Sequence, residues 1–124
     1  MGNGRISSFE DLTAWQRSQD LAVSIYTLTK QFPAEEKFAL TNQLRRAASS
    51  ISANIAEGFG RRGIKEKIQF YAIAYGSLLE VKNFMYLSHR LNYLDDELKR
   101  DCLLEITTCQ KLINALIKSI NAKI

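Results

Sequence analysis

The chain is 124 residues long, 46% hydrophobic and 24% charged, with a formal net charge of +4. That composition fits one domain able to bury a core without disulfide or metal staples, and lies far from that of a disordered chain. One proline and six glycines are too few for the turns of an all-β protein, and no apolar stretch nears the roughly 20 residues that a membrane span needs.

The segment from Met1 to Leu12 has no apolar signal-peptide core. Gly2 lacks the hydroxyl residue that a myristoylation motif requires, because Ile6 stands in its place. A cytoplasmic protein with no membrane partner is expected. A first helix, over about 8–31, starts at Ser8, where S-F-E-D offers a capping box with Asp11 at the third position. Leu12, Trp15, Ala22, Ile25, Tyr26 and Thr29 recur at helical steps, widened by Leu21 and Leu28. Phe32-Pro33 ends it, since proline disfavours helix in the residue before it.

Pro33 suits the first turn of a second helix, over about 34–58, and Glu35 and Glu36 complement its positive end. Leu40, Leu44, Ala48, Ile51 and Ile55 form its apolar stripe, with a polar one beside it: Gln43, Arg46, Ser50, Asn54, Glu57, Arg61. The break is G-F-G-R-R-G, Gly58 to Gly63. These glycines also spell GxGxxG, but a dinucleotide loop follows a strand and opens a helix in a parallel sheet. Here a helical pattern precedes it and no strand is evident. A helix stop, with glycine in a left-handed conformation, is the simpler expectation.

A third helix, over about 64–91, is apolar nearly all round. Ile68, Tyr71, Ala72, Tyr75, Leu78, Leu79 and Met85 make one face, and Phe70, Ile73, Ala74, Val81, Phe84 and Leu87 another. A helix on the surface of a monomer should be apolar over only a stripe. The second face, with Phe70, Ile73, Ala74, Val81 and Phe84, is therefore expected to meet another subunit. Gly76 and Ala72 leave a patch of small residues where a helix could come close. The fourth helix, about 95–121, opens on Asp95-Asp96-Glu97 and buries Leu98, Cys102, Ile106, Cys109, Ile113, Leu116 and Ile120 at heptad-like steps. Long helices on short loops run antiparallel to their neighbours, so a single domain spanning 1–124 is expected, a left-handed, up-down-up-down four-helix bundle.

Catalysis finds little support. His89 is the only histidine, and no Ser/His/Asp set, HExxH or P-loop occurs. Cys102 and Cys109 lie two helical turns apart, about 10 Å, beyond disulfide reach, and read as small core residues. No metal or cofactor is expected. Gln43, Arg46, Asn54, Glu57 and Glu80 read as a structural polar network, because buried charge must be paired. Charge placement is more informative: Arg45, Arg46, Arg61, Arg62, Lys65 and Lys67 face only Glu57 and Glu66 between Thr41 and Lys67. Such a local excess is the electrostatic footprint of nucleic-acid binding; a solvated face laced with salt bridges is the alternative.

F-E-D-L-T-A-W (Phe9 to Trp15), F-P (Phe32-Pro33), Q-L-R-R-A-A-S-S-I-S-A-N-I-A-E-G (Gln43 to Gly58) and G-S-L-L-E (Gly76 to Glu80) resemble a bacterial four-helix-bundle protein family. Its members include proteins encoded in intervening sequences of 23S ribosomal RNA genes. The resemblance implies a ring-like homopentamer. It also implies likeness to the accessory variability protein of diversity-generating retroelements, a basic bundle that binds nucleic acid and its reverse transcriptase. No enzymatic activity is established for the family, and its block falls here on Arg45, Arg46, Asn54, Glu57, Gly58 and Arg61. Two expectations follow. One is an oligomer whose six cations contact the phosphates of RNA or DNA with weak sequence preference, five chains at +4 summing to about +20. The other is a protein-interaction scaffold whose basic stripe is consumed in intersubunit salt bridges.

Overall fold

A computed structural model describes residues 5–123; Gly2 lies outside them. Four α-helices carry the chain: α1 (Thr13–Thr29), α2 (Leu40–Gly60), α3 (Ile64–Arg90) and α4 (Asp96–Asn121). No strand occurs among the described residues. Each helix packs on the next and α1 also packs on α4, leaving α1 diagonal to α3 and α2 diagonal to α4, the arrangement of a four-helix bundle. The α2–α3 pairing is the most extensive. None of the described helices is long and apolar enough to cross a membrane.

The ends of the helices follow local chemistry. The capping box forms, Asp11 Oδ2 accepting the amides of Ser7 (2.9 Å) and Ser8 (3.2 Å). It closes only a short 3₁₀ turn, Phe9–Asp11, and α1 starts after the extended Leu12. Pro33 likewise opens a 3₁₀ turn, Ala34–Glu36, and Ala39 leaves the helical region before α2 begins. Glu36 serves α2 from outside, its Oε1 accepting the Leu40 amide at 3.3 Å while Oε2 accepts the Tyr93 hydroxyl at 2.7 Å. α3 ends in a Schellman motif: Asn92 adopts φ 64° and the Tyr93 amide reaches the Ser88 carbonyl at 3.0 Å. Asp95 caps α4, its Oδ1 accepting the Leu98 amide at 2.8 Å.

The core draws on every helix: Leu21 and Ile25, Leu44, Ile51 and Ile55, Tyr71, Leu78 and Met85, and Ile106 and Ile113 are sealed from solvent. Cys102 and Cys109 sit among them as free thiols. Two expectations are corrected. Gly58 and Gly60 are helical and Gly63 has φ −81°, so none supplies a left-handed turn. Gly58 is instead small because the α3 side chains cross it. A Cβ there would stand 2.8 Å from Tyr71 Cε1 and 3.0 Å from Phe70 Cβ.

Ala74 and Val81, expected at a subunit interface, are fully buried in the chain's own core. Tyr71, Ala74, Leu78, Val81, Met85 and Ser88 step by three and four residues and form the true inward stripe of α3. Ile73 is 46% exposed, and Phe70 and Phe84 are half-buried. Ala72 and Leu79, grouped with the inward face, stand outward with Tyr86, Leu87 and Gly76.

Candidate functional site

α2 is the helix on which the basic residues were expected to converge, and it separates them instead. Arg45 and Arg61 lie sixteen residues apart, about 24 Å along the axis at 1.5 Å per residue. The six cations form two groups, one near the start of α2 and one at the α2–α3 turn.

In the first group Arg45 is half-buried and spent on α1. Its Nε donates to Thr29 Oγ1 (2.9 Å), its Nη2 to the Tyr26 carbonyl (3.3 Å), and its guanidinium lies 4.9 Å above the Tyr26 ring. These contacts tie Arg45 to the last turn of α1, where the Tyr26 carbonyl also accepts the Thr29 hydroxyl at 3.2 Å. Arg46, one residue on and pointing elsewhere, is exposed. It borders a polar groove of about 360 Å³ between α2 and α3, lined also by Asn42, Gln43, Ala47, Ser50, Ser77 and Glu80.

The floor of that groove is a hydroxyl pair, Ser50 with Ser77 at 2.9 Å, extended by Asn54, whose amide donates to the Ser50 carbonyl (2.8 Å) and hydroxyl (2.9 Å). The expected network of Gln43, Arg46, Asn54, Glu57 and Glu80 is therefore not one network. Gln43, Arg46 and Glu80 line the groove without bonding one another, and Glu57 belongs to the other end of the helix. Gln43, Arg46, Glu57 and Glu80 are exposed, so water can solvate them and no pairing is enforced. Ser77, the α3 half of the bridge, shows no sequence signal beyond being a serine on an apolar helix.

At the turn, Arg61 is pinned. Its Nη2 meets Glu57 Oε2 at 2.8 Å, its Nη1 lies 3.9 Å from Glu66 Oε2, and its guanidinium sits 4.7 Å over the Phe70 ring. Lys67 is half-buried and caps α2, donating to the carbonyls of Phe59 (2.6 Å) and Gly58 (3.5 Å). Burial, and then the like charge of Lys123, hold its ammonium below the usual lysine range. Arg62 and Lys65 differ from both: exposed, with no hydrogen bond or ion pair among the described residues.

The reactive side chains elsewhere are occupied. His89 Nε2 and Asp96 Oδ1 lie 2.6 Å apart across the α3–α4 turn. Burial pushes the Cys102 thiol up to about 12 and the Cys109 thiol up to about 11, away from the thiolate a nucleophile needs. Among the described residues no cluster of histidine, cysteine and carboxylate side chains could hold a metal ion.

Residues 10–115 match the model of the 23S rRNA-intervening sequence protein family. A protein of unknown function from the S23 ribosomal protein family of Bacteroides thetaiotaomicron has a similar crystal structure, with a TM-score of 0.77. It is 25% identical in sequence, over 86% of this chain and 99% of that one. No curated protein matches the chain. With most of its length matched, its four helices in the order the fold requires and a solved relative of the same shape, the chain belongs to the 23S rRNA-intervening sequence protein family.

Proposed function

We propose that the protein is a cytoplasmic, non-enzymatic oligomer that holds the phosphate backbone of RNA or DNA. The observation that carries this reading is the contrast at the α2–α3 turn. Arg61 and Lys67 are tied to protein atoms, whereas Arg62 and Lys65 beside them present unpaired charge to solvent. With Arg46 they are the three of the six cations left to contact phosphates, a backbone contact that positions without reading sequence.

The bundle that carries them is antiparallel, up-down-up-down and left-handed. Contacts of Thr29 with Arg45 and Gln19 with Ser52, of Ser50 with Ser77, and of Tyr75 with Gln110 support that course. The oligomer, a pentamer by resemblance, uses the outward face of α3. Ile73, Leu79, Tyr86 and Leu87 are each more than 40% exposed there and would be shielded by a neighbouring subunit.

The scaffold reading is favoured by one observation: Arg45, Arg61 and Lys67 are already consumed. Their partners, however, lie within the same chain. Fluorescence anisotropy of a structured RNA and a DNA duplex, from about 50 to 200 mM salt, separates the two readings. Affinity falling steeply with salt, and weakened by Arg62→Ala with Lys65→Ala while assembly persists, is expected. No binding at low salt would make the protein a scaffold.

A further inference from the structure

The basic charge of the chain does not end at Lys67. After Glu105, α4 carries Lys111 and Lys118, Lys123 follows its end, and no described residue of this stretch is acidic. The register between α3 and α4 decides where those lysines sit. His89 meets Asp96, and fourteen residues further from the turn on each helix Tyr75 meets Gln110. Continued at the same pace, that register brings Lys67 level with Lys118, while Arg62 lies just before α3 and Lys123 just after α4. The like charge that Lys67 feels from Lys123 agrees with this alignment.

We infer that Lys118 and Lys123 join Arg62 and Lys65 in one phosphate-binding surface at the end of the bundle where α2 turns into α3 and α4 finishes. This rests on the nucleic-acid reading above and adds a second helix, distant in sequence, to its site. The four side chains are exposed and without ion pairs among the described residues. The acids nearby are mostly committed: Glu57 and Glu66 hold Arg61, and Asp11 holds two backbone amides, leaving Glu10 exposed. An excess of positive charge at one end of the bundle concentrates potential and suits a polyanion with regularly spaced charges. Arg46, near the far end of α2, lies outside it.

The test compares the wild-type protein with two variants: Lys118→Gln with Lys123→Gln, and Arg62→Gln with Lys65→Gln. The probes are a fluorescent RNA duplex, a DNA duplex of the same sequence and phosphatidylglycerol vesicles, and sedimentation reports assembly. For each double variant the log–log salt slope on a duplex is expected to fall by about one for each phosphate no longer neutralised. Assembly should persist throughout. A larger effect on RNA than on DNA, or the reverse, names the preferred acid and supports the surface equally. The inference is overturned, with the broader reading intact, if the α4 pair leaves the slope unchanged while wild-type protein binds. It is equally overturned if the α4 pair dissolves the oligomer, or if vesicles alone are bound. Failure of the wild-type protein to bind either duplex overturns both.

Discussion

Gly58 and Gly76 show how one residue type can serve opposite needs. Gly58 lies under the Tyr71 ring, itself only 1% exposed and unable to withdraw. Gly58→Ala should gain about 1 kcal/mol of helix propensity and lose about 1–3 kcal/mol to overpacking. A lower urea midpoint with an unchanged m-value is therefore expected; a variant as stable as wild type would show that the α2–α3 contact is looser than described. Its role was hidden in the sequence because the clash lies with residues twelve and thirteen positions away, and the GxGxxG spacing suggested a turn instead. The cysteines, by contrast, read correctly from spacing alone, since a heptad step between small apolar residues leaves few alternatives to the core. Their raised thiol pKa values fix a sign. Above about pH 9 the unfolded chain loses thiol protons that the folded chain keeps until about 11 and 12, so stability falls as pH rises through that window. Thermal melts from pH 8 to 10 should show the decline, and Cys102→Ala with Cys109→Ala should flatten it. A slope identical in the two proteins would place the alkaline loss elsewhere.

At the scale of the element, α3 was the hardest to read. An apolar side chain at nearly every position leaves no polar face to set the rotational phase of the helix, so Ala74 and Val81 pass for surface and Leu79 for core. α2 and α4, polar on one side, have their stripes where periodicity puts them. The outward α3 face then makes its own prediction at Gly76, where an added Cβ would meet no atom of the chain within 4 Å. In a lone bundle Gly76→Ala should gain up to about 1 kcal/mol. In an oligomer closing over Ala72 and Gly76 it should shift sedimentation toward smaller species, the outcome expected here. A higher melting temperature with assembly unchanged would mean that the interface lies elsewhere. Arg45 belongs to this scale too, because it ties the end of α1 to α2. Arg45→Ala should cost about 1–3 kcal/mol through removal of its charged hydrogen bonds while leaving the salt slope of nucleic-acid binding untouched. A shallower slope would return Arg45 to the binding surface.

For the whole molecule, the fold class and the four helices were legible, because long amphipathic segments on short turns admit few arrangements. The site was legible only in part. Charge counted along the chain joined Arg45 to Lys67 in one segment, although a helix holds its two ends about 24 Å apart. Charge arranged in space instead points to the end of the bundle, where Lys118 near the end of α4 comes level with Lys67 in the first turn of α3. Nothing in local pattern reveals that meeting; it needs the α3–α4 register. Oligomerisation would repeat this surface once per subunit, turning a modest charge into a strong field through avidity.

The most direct measurement is native mass spectrometry of the intact protein mixed with a short RNA duplex, sprayed from increasing ammonium acetate. One closed oligomer is expected, carrying RNA at low salt and shedding it, still assembled, as salt rises. A monomer, or an oligomer that never retains RNA at any salt, would contradict that expectation.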